Sequence, residues 1–294
     1  MHGFPAIHAR TLGEAKVLAE SPAAKGQDLA TYLYTRWYAA TGTETGLDPA
    51  WPPLEGMLRV AQSEVLGWQP ALVLRQGASG IVLARGADGR ARALLRGGYT
   101  HQDASEHMGL PPQRGDSIVA VPRSGAVVSE GWWRTWGCGW DPRSAPEGVT
   151  RVYIGPKLVE LPVLMAALTV TLQTHAVPWM IKVATQAGSL ARPDAVVLYL
   201  RSTAAFEDIV AAARDRVRKE PGPALTETLA PGVSWAQDPG DGRSFGESRC
   251  SLVATALLRA SNGGTEAFLG ILRQEFVAAG LDPAAPHLCG RANG

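Results

Sequence analysis

Residues 177–200 read VPWMIKVATQAGSLARPDAVVLYL. Two apolar runs, 179–183 and 195–200, flank a turn-rich stretch that ends at Arg192, Pro193 and Asp194. Both have strand length and are rich in β-branched and aromatic residues, so each predicts a β-strand. Lys182 stands between Ile181 and Val183, where a charge is costly unless the side chain faces a cleft or a partner. Upstream, 149–154 predicts another strand, with Arg151 and Tyr153 on one face because alternate side chains share a side. Residues 158–175 predict a helix, with Pro162 tolerated in its first turn. Downstream, 203–218 predict an amphipathic helix, and 252–259 and 265–279 the last two helices. This order of strands and helices predicts an α+β domain with a mixed or antiparallel sheet, not a doubly wound one.

Before residue 141 the pattern differs. Leu29, Tyr32, Leu33 and Trp37 fall at helical spacing within 27–39, with Asp28 placed to cap the first turn, and 54–66 resume that period weakly. Short strands separated by Gly-rich turns follow at 71–75, 81–85, 90–95, 117–121 and 126–128. The Pro- and Gly-containing segment 141–148 then suggests two intimately packed regions, 1–140 and 141–294, the first helical plus β-hairpin and suited to peptide or partner recognition. Trp132, Trp133 and Trp136 form either a recognition wall for a peptide or a packed seam between the halves, since aromatic side chains bury large apolar areas. His101, Asp103, Glu106 and His107 form a polar cluster whose spacing matches no specific metal motif.

Composition narrows the function classes. The chain has 294 residues, 46% hydrophobic and 19% charged, a balance that supports a packed core. Its 28 Lys plus Arg nearly cancel 27 Asp plus Glu, so no excess positive charge draws it to nucleic acid. Three widely spaced cysteines, Cys138, Cys250 and Cys289, fit neither a disulfide scaffold nor a zinc motif. No stretch reaches 18 apolar residues and no signal-like start is present, so no membrane partner and a cytoplasmic location are expected. Lys182 is one of only five lysines, with Lys16, Lys25, Lys157 and Lys219. Arg151, Arg192, Arg243 and Arg249 lie near the same motifs. An arginine group of this kind can grip a phosphate dianion through charge-assisted hydrogen bonds while a lone lysine does something else.

Arg151 to Tyr153, residues 177–183, residues 192–200 and the loop 238–246 (DPGDGRSFG) together resemble the HopA1 family, whose members occur as bacterial type III effectors and as enzymes of lanthipeptide and thioamitide biosynthesis. The resemblance covers about 149–289. Tyr32 to Tyr38 and Gly67-Trp68 resemble the family's N-terminal part more weakly. It implies a lyase related to the phosphothreonine lyases. Such an enzyme eliminates phosphate from phosphoserine or phosphothreonine in a leader-bearing precursor peptide, phosphorylated beforehand by a kinase-like partner, and leaves dehydroalanine or dehydrobutyrine. The resemblance also implies Lys182 as the base, and Arg192, Arg151, Arg249 and Arg243 as phosphate contacts with Asp194 orienting them. Tyr153 stands where related lyases place an acid histidine. Ile154 and Gly155 depart from the more polar version of that strand.

The reaction requires an α-proton to be removed while a phosphate departs. A lysine of ordinary proton affinity is about 0.1% neutral near pH 7.5, whereas one lowered to about 8 is roughly one quarter neutral. Burial and neighbouring arginines would supply that shift, so a hydrophobic but cation-lined cleft is expected. Elimination of a pre-existing phosphate requires no cofactor, and no phosphate-cradling nucleotide loop is present. The competing class is a noncatalytic subunit that holds a phosphopeptide or leader.

Overall fold

The two apolar runs form neighbouring antiparallel strands, β9 (Trp179–Ala184) and β10 (Val196–Leu200), with Lys182 opposite Val197. The computed structural model describes residues 3–40, 54, 56–58, 61–62, 69–86, 89–94, 99–101, 112–120, 126–129, 131–137, 140, 148–175, 178–260 and 263–290. β9 and β10 lie in a seven-stranded sheet of order β11-β12-β8-β10-β9-β7-β6, antiparallel at every pairing. Its other members are β6 (Ala126–Ser129), β7 (Trp132–Trp136), β8 (Thr150–Ile154), β11 (Glu227–Ala230) and β12 (Val233–Gln237). β6 and β7 precede residue 141, so the sequence boundary at 140/141 passes through this sheet. A separate five-stranded antiparallel sheet, order β3-β2-β1-β5-β4, is built from β1 (Gln69–Gln76), β2 (Val82–Gly86), β3 (Ala91–Leu94), β4 (Tyr99–His101) and β5 (Ser117–Ala120). It has a small core of its own around Val73, Val82, Ala84, Leu94 and Ile118.

Alternation along the strands gives the large sheet two unlike faces. One presents Val152, Ile154, Ile181, Val183, Val196, Leu198 and Trp133, all inaccessible to solvent. That face packs on α3 (Leu161–Thr174), whose Leu161, Leu164, Met165, Leu168 and Leu172 recur at three- and four-residue intervals, and on Ile209 and Ala213 of α5 (Phe206–Ala213). The opposite face presents Arg134, Arg151, Tyr153, Lys182, Val197 and Tyr199. Part of it is covered by a helical layer comprising α1 (Ala6–Ala19), α2 (Leu29–Leu33), α6 (Phe245–Ala260) and α7 (Thr265–Ala278). A short α4 (Ala187–Leu190) lies between β9 and β10. No helix among the described residues is long and apolar enough to cross a membrane.

Two local features position this layer. α2 begins with the Asp28 carboxylate accepting the Thr31 backbone N–H at 2.9 Å, then widens into one turn of π-helix over Tyr34–Tyr38, which stacks the Tyr34 and Tyr38 rings 5.6 Å apart. α6 starts with a reciprocal cap: the Ser244 N–H donates to Glu247 Oε2 at 2.6 Å, and the Glu247 N–H to Ser244 Oγ at 3.1 Å. Gly246 lets the two helices meet, since a Cβ there would stand 2.4 Å from Tyr38 and 2.8 Å from Tyr34. An alanine in a helix is ordinarily better than glycine by about 1 kcal/mol, but overpacking of this kind costs about 1–3 kcal/mol. Gly246→Ala is therefore expected to lower the thermal unfolding midpoint, and an unchanged or raised midpoint would show that the π-helical turn yields freely.

The predicted helix over 203–218 is realised only as α5. Beyond Ala213 the backbone is drawn to the end of β8: the Arg218 N–H donates to Gly155 O at 2.9 Å and the Lys157 N–H to Arg216 O at 2.9 Å. Helical periodicity continues in the sequence, but these bonds replace the helical ones. α1, α4, β4, β7, β11 and β12 lie outside the elements expected from the sequence.

Candidate functional site

Lys182 lies at the centre of the second face. Directly opposite it on β7 is Arg134, and on the other side the lateral row continues through Val197 to Tyr153. The half-buried Lys182 ammonium rests 4.1 Å from the centroid of Trp132, whose ring face attracts a cation. Burial, then the positive charges of Arg134 and Arg151, bring its pKa down to about 8; Asp194 opposes the shift and Arg192 adds to it. An amine at that value has a substantial neutral fraction near physiological pH.

Arg192 reaches the same indole from the 191–195 turn, its guanidinium carbon 5.5 Å from the Trp132 centroid and 5.6 Å from that of Tyr34. Asp194, 5% exposed, holds it in a two-pronged grip, accepting from Nε at 2.8 Å and Nη2 at 2.8 Å. Nη2 also donates to the Tyr34 hydroxyl at 3.2 Å, so Nη1 carries the donors left for a ligand. Beneath the turn, Arg218 donates to the carbonyls of Ala191 and Arg192, both at 2.7 Å, which anchors the backbone carrying the guanidinium. Arg151, 8% exposed, donates from Nε to Asp238 at 2.7 Å and lies 5.2 Å above the Tyr199 ring. Its Nη2 donates to the Arg243 carbonyl at 3.2 Å, tying β8 to the 238–246 loop. Glu247, at the head of α6, has its carboxyl lowered first by the Ser244 N–H, while Arg151 and Lys182 contribute through their charge.

Lys182, Arg192, Arg151, Asp194 and Trp132 thus converge, and Asp194 orients Arg192. Five other candidates do not join them. Arg249 is 1% exposed within α6 and is committed to the carbonyls of Pro286 at 2.9 Å and Leu288 at 2.8 Å, so it anchors the C-terminal segment instead of a phosphate. The Arg243 side chain is open to solvent and pairs with Asp241 at 2.6 Å; its carbonyl, not its guanidinium, reaches Arg151. Trp133 is wholly buried on the α3 side, and Trp136, on the same face as Trp132, packs with Trp140, Val149 and Tyr199; of the three, Trp132 is the one in contact with Lys182.

Tyr153, the residue expected as acid, is the fifth. It is 3% exposed and packs against Phe245, with ring centroids 6.4 Å apart. Its hydroxyl meets no partner at full hydrogen-bonding geometry, although the Tyr38 phenol lies close enough to interact with it. Burial pushes its pKa well above that of a free phenol, which makes it a poorer proton donor. His175 pairs with Asp208 at 2.7 Å at the far end of α3. His101 ends β4, and the other members of its polar cluster lie outside the described residues.

Sequence reasoning missed Arg134, Tyr34 and Glu247. Arg134 lies within the tryptophan run, and the cue for it was its alternation with Trp133 and Thr135. Two cavities, of about 280 and 260 Å³, open elsewhere, one beside Arg243 and Leu252 and one between α1 and residues 221–226; neither is lined by Lys182.

Two effector proteins of Pseudomonas syringae share the fold over nearly their whole length. That of pathovar tomato strain DC3000 is 18% identical with a TM-score of 0.58, over 97% of this chain and 98% of the other. That of pathovar syringae strain 61 is 18% identical with a TM-score of 0.57, over 97% and 99%. The chain matches no curated protein. Residues 127–288, which begin at β6 and include every residue of the convergent cluster from β7 through the 238–246 loop, match the HopA1 effector protein family, and the chain belongs to that family.

Proposed function

We propose that the protein is a phosphothreonine or phosphoserine lyase acting on a phosphorylated ribosomal precursor peptide. The observation that carries this reading is Lys182, held at a pKa of about 8 on a sheet face it shares with Arg134, Arg151 and an Arg192 fixed by Asp194. A neutral amine is a base strong enough to remove a carbon-bound proton, and the arginines offset the charge of a leaving phosphate.

In the proposed step the neutral Lys182 amine takes the α-proton of the phosphoresidue. The electron pair of that C–H bond becomes the Cα=Cβ double bond, and the Cβ–O bond to phosphate breaks with its electrons on oxygen. The Lys182 ammonium so formed passes its proton to the departing phosphate oxygen, so the products are dehydrobutyrine or dehydroalanine, hydrogen phosphate dianion and the neutral Lys182 amine. Arg192, through Nη1, grips the departing dianion, and its rigid pairing with Asp194 makes it a fixed donor at no reorganisation cost. With that proton supplied by Lys182 the phosphate leaves as the hydrogen phosphate dianion without a second acid, which suits a site where Tyr153 is buried. Tyr153→Phe is accordingly expected to keep turnover within about tenfold of wild type, since loss of a true general acid costs about 10²–10⁴-fold. A loss of that larger size would return the acid role to Tyr153.

The peptide substrate carries a leader, and a kinase-like partner supplies its phosphate. The test is mass spectrometry of a leader-bearing phosphothreonine or phosphoserine precursor incubated with the protein. Loss of one phosphoric acid is expected. Tight binding without mass loss, kinase-like partner present or absent, would make the protein a recognition subunit instead.

A further inference from the structure

Each arginine of the site except one has its charge answered. Arg192 pairs with Asp194 and Arg151 with Asp238. Arg134 has no salt bridge among the described residues, and its Nε is buried with no hydrogen-bond partner. An orphaned guanidinium N–H costs free energy unless something completes it. Its position is fixed by strand register: Arg134 and Lys182 are directly opposite on β7 and β9, where cross-strand neighbours are about 4.5–5.5 Å apart at Cβ and like charges repel. Neither strand can slip to relieve this, because a one-residue shift would turn Trp133, Ile181 and Val183 out of the core. Two cations are thus held side by side with one counter-charge missing, an arrangement that fits an anionic ligand.

We propose that Arg134 is a phosphate-binding residue of this site, the arginine whose charge is left for the substrate to neutralise. The inference rests on the lyase reading for the identity of the substrate, but not for the binding of phosphate. It has two consequences. In the free protein Arg134 keeps its neighbour's amine partly neutral. When a phosphate dianion docks on Arg134 the repulsion is cancelled and the proton affinity of the amine rises, so each amine that is neutral is a stronger base while the neutral fraction at a given pH falls.

The test is competitive acetylation of Lys182 by acetic anhydride as a function of pH, read by peptide mass spectrometry, with and without inorganic phosphate. For wild type the labelling midpoint is expected near pH 8 and is expected to rise when phosphate is added. In Arg134→Met the midpoint without phosphate is expected to lie above that of wild type, and the further rise with phosphate to be smaller. Arg134→Lys, which keeps the charge, is expected to restore both. Should the methionine variant fail to fold, Arg134→Gln removes the charge while keeping a polar side chain. A midpoint and a phosphate response unchanged by loss of the charge would overturn the proposal. A purely structural role for Arg134 would leave both readouts at wild-type values in any variant that folds. No turnover enters this measurement, so failure of the lyase reading shows separately, as a phosphopeptide that keeps its phosphate with wild-type protein.

Discussion

Lys182→Met is expected to slow phosphate elimination by about 10²–10⁴-fold while leaving the protein folded and more stable than wild type near neutral pH. The two halves of this outcome have one cause. A lysine whose pKa is lowered in the folded state to about 8, against about 10.4 in the unfolded chain, destabilises the fold wherever it must carry a proton. Below pH 8 it is protonated in both states and its penalty is fully present. Between 8 and about 10.4 the folded protein binds fewer protons than the unfolded chain, and the penalty fades. Methionine keeps a flexible apolar stem against Trp132 and removes the charge. The gain, of order 1–3 kcal/mol near pH 7, is therefore expected to shrink as pH rises through this window. Thermal unfolding of the two proteins at pH 7 and pH 10 measures it. For the wild type, kcat/KM for elimination is expected to rise with pH through a midpoint near 8 and then level off, because it reports the neutral amine of the free protein. A variant that is slow and also less stable would mean that Lys182 supports the fold and that its loss is not a loss of chemistry.

The strand carrying this lysine was legible because a lone charge in an apolar run has few physical excuses. Arg192 and Asp194 were legible for a related reason: a charged turn between two strands ends at the same sheet edge as the strands it joins. Arg249 misled because its immediate neighbours resemble a loop, whereas residues 245–260 form one helix and its guanidinium turns inward to the C-terminal carbonyls. Tyr153 was placed on the correct face, but alternation does not say which part of a face a second layer covers. The Gly246 contact with Tyr34 and Tyr38 joins positions some two hundred residues apart and leaves no local trace. β11 and β12 did leave one: Pro231-Gly232 separates two short runs, and Gly232 adopts φ +79°, as a tight turn requires. Arg134 was hidden by its company, since three tryptophans drew attention to themselves and away from the cation between them.

Asp194→Asn is expected to lower both stability and turnover, through the loss of one charge. The carboxylate is nearly inaccessible, and the Arg192 guanidinium it holds is itself largely covered. Breaking a buried pair from one side leaves the other charge uncompensated, which typically costs 3–5 kcal/mol; a partly wet guanidinium that retains the asparagine carbonyl brings the expected loss to about 2–3 kcal/mol. The Arg192 fork also loses its template, since an amide offers one acceptor where the carboxylate offered two. A donor displaced by about 1 Å costs on the order of 10²-fold in rate, so kcat is expected to fall by about that factor. A third readout separates this from general damage. Asp194 raises the proton affinity of Lys182, so without it the pH-rate midpoint is expected below that of wild type, whereas Arg192→Met removes a positive neighbour and is expected to raise it. The double variant brings the midpoint back towards wild type if the two charges act on Lys182 as a pair. Single variants whose midpoints move in the same direction, or not at all, would mean that Arg192 and Asp194 support the turn without taking part in the electrostatics of the base.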